Sequence, residues 1–320
     1  MPAGHDAGVT EIRFGVSLAG WTDGPALGAA ARTAEHAGFD VVTVADHLGG
    51  AAPFALLAVA ASVTVRVRLR TYVLDAYFWN PALLAREAAT LDQLSGGRLE
   101  LGIGAGHMRH EHVDAGLPFP GVDERWAHTA AVLADVRRRL ADDTHVPAPV
   151  QQPVPVMVAA MGERGLRVAA EHADVVGLAG AFQVPGRKAG VLTLADAATT
   201  DDRVALVREV AAAHGRAPEL DVLLQQVVVD TDPEKAADGA AREAVGAGMD
   251  WFTPELLLDS PFVLFAASPD DAAAELARRA ERWGVRSWST HAPWGPALAQ
   301  VVAAVRARGS NGSSATETRP

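Results

Sequence analysis

The stretch that decides the fold is RVRLRTYVLDAYFWNPALLAREAATLDQLSGGRLELGIGAG, residues 66–106, because a strand, a helix and a second strand follow one another in it. The apolar runs VRLRTYV (67–73) and RLELGIG (98–104) have the length of buried strands. Between them lies a segment of helical period, with Pro81 at its start and Gly96 just past its end. The stretch therefore predicts two parallel strands connected and covered by a helix.

The same unit recurs along the chain. Eight apolar runs alternate with helical segments: IRFGVSL (12–18), DVVTVA (40–45), VRLRTYV (67–73), RLELGIG (98–104), PVPVMVAA (153–160), ADVVGLA (173–179), ELDVLLQQVVV (219–229) and VRSWSTHA (285–292). They predict an α/β protein, a closed (β/α)8 TIM barrel in a single domain over residues 1–309. Longer spacings predict insertions after strands 4, 6 and 7, with large loops at 180–194 and 246–265. The polar residues 310–320 predict a disordered tail.

Composition narrows the classes of function. The net charge of −11 disfavours nucleic acid and anionic membrane surfaces as partners. The absence of cysteine excludes disulfides, thiolate nucleophiles and cysteine-ligated metals. The first residues lack the layout of a signal peptide, and no apolar run is long enough to span a bilayer. We expect a soluble cytoplasmic protein.

Polar residues at the carboxyl ends of the strands are the candidate site residues, because catalysis in this architecture occurs at that end of the barrel. Three of the strand ends carry a histidine, and such side chains could converge on one cavity. The polar strand ends are Asp46-His47, Thr71 to Asp75, Gly106-His107, Met161 to Arg164, and Thr290-His291.

Two hydrolase interpretations have less support from the sequence. His107, His110 and His112 could ligate a metal, since neutral imidazoles bind zinc or iron. However, the first strand supplies no ligand, and a solvated loop explains His110 and His112 more simply. A serine hydrolase is disfavoured because no Gly-x-Ser-x-Gly motif is present. We therefore predict no metal site, and keep a metal-dependent barrel hydrolase as the least favoured alternative.

The order of motifs resembles the bacterial luciferase-like superfamily of flavin- and deazaflavin-dependent oxidoreductases. The resemblance covers roughly residues 12–307 through RFGVSL, AEHAGFDVVTVADHLG, the stretch quoted above and PVPVMVAAMGERGLRVAAEHADVVGLA. The late segment TPELLLDSPFVLFAASPDDAAAELARRAERWGV is similar to the actinobacterial branch that depends on coenzyme F420.

This resemblance implies a cofactor ring that lies across the mouths of the strands. Behind the ring, Thr71, Tyr72 and Val73 would form a bulge with a cis peptide bond between Tyr72 and Val73. Gly104 and Gly106 would leave room for the flat ring.

The resemblance also assigns candidate catalytic and binding residues. Asp46 and His47 match the pair that contacts the deazaflavin in the sugar-phosphate dehydrogenases of the superfamily. His47 is our first candidate for the catalytic acid or base, because imidazole exchanges a proton near neutral pH. The cofactor phosphate would bind where the fifth strand turns into a helix, at Ala160, Met161, Gly162 and Arg164.

His107 departs from the family pattern. The matching position in the sugar-phosphate dehydrogenases carries a glutamate that donates a proton. We expect His107 to lie near the substrate as a second catalytic candidate. Only two lysines, Lys188 and Lys235, are present, which also disfavours a sugar phosphate. Rim aromatics indicate an apolar or planar organic substrate instead: Tyr77, Phe78, Trp79, Phe182, Trp251, Phe252 and Trp294.

Two cofactors remain open. Coenzyme F420 would exchange hydride with a small organic substrate. Alternatively, reduced FMN from a separate reductase would support monooxygenation. The luciferase-type arginine for the FMN phosphate has no clear counterpart, Arg109 being the nearest, which favours the deazaflavin. The resemblance is compatible with a homodimer and with a flavin or F420 reductase as partner.

Overall fold

The computed structural model describes residues 12–19, 21, 23–184, 186–187 and 191–313. The strands are β1 Arg13–Ser17, β2 Val41–Val44, β3 Arg68–Thr71, β4 Leu74–Asp75, β5 Leu99–Gly104, β6 Val156–Ala160, β7 Val175–Leu178, β8 Ala181–Gln183, β9 Leu192–Leu194, β10 Glu219–Leu224, β11 Gln226–Val229, β12 Val263–Ala266 and β13 Val285–Thr290. The helices are α1 Gly24–His36, α2 Pro53–Val63, α3 Pro81–Ser95, α4 Arg109–Asp114, α5 Val122–Leu140, α6 Glu163–His172, α7 Ala197–Ala213, α8 Pro233–Gly246, α9 Pro254–Asp259, α10 Pro269–Trp283 and α11 Gly295–Ser313.

The main sheet is a closed parallel barrel. Its order is β3-β2-β1-β13-β10-β7-β6-β5-β4, and a further pairing of β3 with β5 closes the circle. β3 and β4 together act as one strand, since β5 pairs with β3 at its start and with β4 at its end. The predicted (β/α)8 barrel is confirmed. The bond between Tyr72 and Val73, which separates β3 from β4, is cis, as the resemblance implied.

The run 219–229, which sequence analysis took as a single strand, is two strands. β10 pairs within the barrel, whereas β11 pairs in parallel with β12 in a separate two-stranded sheet. The division lies at Gln225, whose backbone N–H donates to the carbonyl of Phe262 at 2.6 Å instead of to a barrel strand. This bond directs the chain out of the barrel.

The regular strand–helix alternation is interrupted at three places. α4 lies between β5 and the long helix α5, and the antiparallel pair β8 and β9 lies between β7 and α7. After β10 the chain forms β11, α8, α9 and β12 before α10 covers the barrel. α11 continues to Ser313, so the first residues of the segment 310–320 belong to this helix, and the rest of that segment lies outside the described residues. Among the described residues, no helix has the length and apolarity needed to cross a membrane.

The barrel interior contains a buried ionic cluster that sequence analysis did not predict. Arg70, Glu100 and Asp221 are at most 2% exposed. Arg70 contacts Glu100 at 2.6 Å and Asp221 at 2.9 Å, and the hydroxyl of Tyr72 donates to Asp221 at 2.9 Å. Burial alone would raise the pKa of Glu100, but the guanidinium groups of Arg70 and two further arginines hold it well below its usual range. The cluster therefore stays ionised and connects three barrel strands.

Candidate active site

A cavity of about 620 Å³ opens at the carboxyl ends of the barrel strands. We call it the first cavity. All the predicted site residues except Thr71 line it: Asp46, His47, Tyr72, Val73, Gly104, Gly106, His107, Ala160, Met161, Gly162 and Arg164. The parallel strands bring these residues together because they all end at the same face.

Thr71 has a different position from the one expected. Its side chain is fully buried, and its hydroxyl donates to the carbonyl of Gly102 while accepting from the Gly102 amide, both at 2.8 Å. These bonds join β3 to β5 where the strand ladder is interrupted before β4. Thr71 therefore supports the wall of the first cavity from behind.

The glycines of β5 and of the loop after it lie against the segment from β3 to β4. A Cβ at Gly102 would lie 1.8 Å from the carbonyl oxygen of Thr71, and one at Gly104 would lie 2.8 Å from a methyl group of Val73. At Gly106, which has φ of +65°, a Cβ would lie 1.9 Å from the carboxylate of Asp75. The segment from β3 to β4 thus approaches β5 so closely that side chains are excluded there.

His47 is paired with a buried carboxylate. Its Nδ1 lies 2.9 Å from Oε1 of Glu111, a residue of α4 that is 6% exposed. With a carboxylate acceptor at that distance, Nδ1 carries the proton and donates it in the hydrogen bond. Nε2 has no hydrogen-bond partner among the described residues. This is the arrangement of an oriented general base: a carboxylate fixes the tautomer, and the opposite nitrogen is available for a proton.

His107 lies beside this pair in the first cavity. Its ring centroid is 5.8 Å from that of His47, in an edge-to-face arrangement. Desolvation, and then the proximity of His47, lowers the pKa of His107. His107 is therefore neutral at neutral pH and has no carboxylate bonded to it, so it is better suited to hydrogen bonding with a substrate than to accepting its proton.

His112 is a structural residue, and the solvated-loop interpretation of it is wrong. It is fully buried, with Nε2 at 2.8 Å from Asp75 and Nδ1 at 2.7 Å from the carbonyl of Pro118. The pair fixes the last turn of α4, and thereby the neighbouring Glu111, against the end of β4. His110 is exposed. Within the described residues, no three His, Cys, Asp or Glu side chains are grouped so that they could hold a metal ion.

Asp46 is held at the wall by an aromatic residue. The indole of Trp79 donates to its carboxylate at 2.8 Å, and burial raises the pKa of Asp46. Trp79 therefore contributes indirectly rather than by contact with a substrate. Of the seven rim aromatics named from the sequence, none lines the first cavity; Phe252 and Trp294 line a neighbouring one.

The start of α6 provides hydrogen-bond donors at the opposite side of the first cavity. Gly162 caps this ten-residue helix without a side-chain hydrogen bond, and no atom lies within 4 Å of where its Cβ would be. The amides of the first turn lack intrahelical acceptors and suit an anionic group such as a phosphate. Arg164 contacts Asp123 only at 3.6 Å and both side chains are exposed, so its guanidinium is weakly held and can turn toward such an anion.

Comparison with known proteins identifies the family. The profile of the luciferase-like monooxygenases matches residues 10–312. The chain belongs to this family. Family membership confirms the resemblance.

Named relatives within the family include F420-dependent glucose-6-phosphate dehydrogenases. That of Beutenbergia cavernae is 38% identical over 163 residues, which are 44% of this chain and 48% of the relative. That of Nakamurella multipartita is 32% identical over 250 residues, 70% of each chain. The chain thus spans about half the length of the first of these relatives.

Solved structures share the fold. An F420-dependent secondary alcohol dehydrogenase superimposes with a TM-score of 0.73 at 21% identity, over 92% of this chain and 99% of the other. A long-chain alkane monooxygenase superimposes with a TM-score of 0.74 at 16% identity, over 94% and 92%. The fold alone therefore does not distinguish a dehydrogenase from an oxygenase.

Sequence analysis missed three residues of the first cavity: Glu111, Trp126 and Gln225. Glu111 pairs with His47, which lies 64 residues earlier in the chain, so no local spacing relates the two. Trp126 and Gln225 also line the first cavity. Nothing in the local sequence marks them, since they come from an outer helix and from the end of β10.

Proposed function

We propose that this protein is a coenzyme F420-dependent oxidoreductase that transfers hydride to or from a small, uncharged organic substrate. The observation that carries the proposal is the pairing of His47 with buried Glu111 at the rim of the first cavity. Named relatives that use F420 support the choice of cofactor. Reduced FMN with a separate reductase is the alternative, since structural neighbours include monooxygenases.

The residues of the first cavity fit such a cofactor. The wall formed by Tyr72, Val73 and Gly104 would hold the flat ring, and Asp46 would accept a hydrogen bond at its edge. The amides at the start of α6 would hold the phosphate together with Arg164. Arg109, the nearest counterpart of an FMN-phosphate arginine, lies with its guanidinium 5.8 Å from the ring of Phe119 and does not line the cavity. This arrangement favours F420 over FMN.

The side chains of this chain divide the proton chemistry between them. When bound, coenzyme F420 supplies a ring carbon that accepts or gives a hydride. In the oxidation of a carbinol, Nε2 of His47 removes the hydroxyl proton, and Glu111 stabilises the imidazolium that forms. His107 donates a hydrogen bond to the substrate oxygen. In the reverse direction His47 returns the proton to that oxygen.

The first test is an anaerobic fluorescence titration of the purified protein with F420 and with FMN, each oxidised and reduced. We expect tight binding of F420 and weak binding of both forms of FMN. The variant Gly162→Asp should weaken F420 binding by about tenfold or more because it places a carboxylate beside the phosphate, whereas Gly162→Ala serves as the matched control. Preference for reduced FMN would establish the oxygenase alternative, and binding of neither cofactor would refute the proposal.

A further inference from the structure

A second cavity of about 580 Å³ lies beside the first, between the β8–β9 pair and the insertion that follows β10. Ala240 and Ala244 of α8 form part of one wall. The remaining surface is mainly apolar and includes Met249, Phe252, Leu257 and Trp294. Its volume and its apolar character are typical of a site for a small organic molecule.

The charges around the second cavity define what it can bind. Among the described residues that line it there is no Lys, Arg or His, and the single ionisable group is the exposed carboxylate of Glu243. A phosphate or carboxylate would meet repulsion there without a compensating cation. The surface therefore fits an uncharged, apolar group.

The two cavities adjoin. Ala181, Leu192 and Gln225 line both of them. At this junction, Gln225 donates to the carbonyl of Ala179 at 3.2 Å and accepts from Nε2 of His291 at 3.3 Å, and His291 itself lines the first cavity. These bonds hold the amide in place where the two cavities meet. The shared lining residues put the second cavity within reach of a ligand that reacts in the first.

We propose that the second cavity is the binding subsite for the apolar part of the substrate, whose reacting carbon lies in the first cavity. The proposal rests on the proposed function and narrows it. The substrate is an uncharged alcohol or carbonyl compound with a hydrocarbon portion of several carbons, and not a phosphate ester. Each methylene that enters the second cavity should tighten binding by about fourfold.

Binding of N-phenyl-1-naphthylamine, an uncharged fluorescent probe, tests the subsite without catalysis. The variant Ala244→Phe places a bulky ring in the second cavity, which reduces the space for the probe, and should weaken probe binding by about tenfold or more. Val245→Phe is the matched control, because Val245 is the next residue of α8, is 52% exposed and does not line the cavity. Its probe affinity should stay within about twofold of wild type. Equal probe affinity in Ala244→Phe and wild type, with both folded by circular dichroism, would overturn the proposal.

Competition defines the class of ligand. 1-Decanol should displace the probe, and decyl phosphate should be at least about tenfold weaker because of its charge. Equal displacement by the two compounds would overturn the proposed class.

Calorimetric titration of Ala244→Phe with F420 separates the subsite from the proposed function. We expect wild-type affinity for F420, since the substitution lies outside the first cavity. A protein that binds the probe as described but does not bind F420 would retain the subsite and lose the proposed function. A protein that binds F420 but not the probe would retain the proposed function and lose the subsite.

Discussion

Removing the carboxylate of Glu111 should impair proton transfer at His47 while leaving the cofactor site intact. The Nδ1 to Oε1 distance of 2.9 Å corresponds to a Coulomb energy of about 1.4 kcal/mol at the dielectric constant of water and about 6 kcal/mol at an effective value near 20. The side chain of His47 is 45% exposed, which places the pair toward the watery limit. We therefore assign about 1.5–2 kcal/mol to the charge-assisted hydrogen bond between the His47 imidazolium and the Glu111 carboxylate.

That energy predicts a fall in kcat of about 10–30-fold for Glu111→Ala, with little change in the affinity for F420. Ring ¹⁵N shifts of His47 should show the proton mainly on Nδ1 in the wild type and redistributed in the variant. Glu111→Gln keeps an acceptor and should retain most of the tautomer preference. Asp114→Ala, which removes an exposed carboxylate from the same helix, is the control. An unchanged tautomer and unchanged kcat in Glu111→Ala would show that Glu111 does not orient His47.

Three further predictions follow from individual contacts. His47→Ala should lower turnover by about 10²–10⁴ with nearly unchanged F420 affinity, and unchanged turnover in a screen of alcohols and ketones would remove His47 from the mechanism. Gly106→Ala should destabilise the fold by about 3 kcal/mol in urea unfolding, since its Cβ would displace Asp75. Gly162→Ala, with free space at its Cβ, should change stability little. Equal effects of the two substitutions would contradict the close approach of Gly106 to Asp75. Glu100→Gln should cost about 3–5 kcal/mol at pH 7 because it removes a buried carboxylate that pairs with three arginines and leaves Arg70 with Asp221 as its remaining carboxylate partner. Folding lowers the pKa of Glu100. Its contribution to stability is therefore complete above the unfolded pKa of about 4.3 and is lost as the pH falls below that value. If the difference in unfolding free energy between variant and wild type did not narrow in acid, this explanation would be refuted.

The barrel was predictable because its signal is carried by short, repeated local patterns. Each of the eight apolar runs contains a barrel strand, and prolines such as Pro81 and glycines such as Gly96 lie at the ends of the helices as expected. The run 219–229 was misjudged because apolar residues continue through Gln225. The exit from the barrel depends on a hydrogen bond to Phe262, some forty residues away, which local sequence does not reveal.

The site was predictable only where strand ends supply its residues. His47 and His107 follow directly from β2 and β5, so the convergence of strand ends brings them together. The contacts that support the site join residues distant in sequence, as Glu111 is from His47 and as His112 is from Asp75. Such long-range contacts form only when the barrel closes. They leave no periodic pattern in the sequence from which they could be predicted.

The third strand of the barrel connects the buried ionic cluster to the wall of the first cavity. Tyr72 lines that cavity, while its hydroxyl donates to Asp221 inside the barrel. Burial raises the pKa of Tyr72 well above its usual value, so the phenol remains a donor throughout the physiological range. Arg70, two residues earlier, binds Asp221 and Glu100 from the same strand. The wall on which a cofactor ring would rest is thus fixed from below by hydrogen bonds and ion pairs, whose geometry is more specific than apolar packing alone.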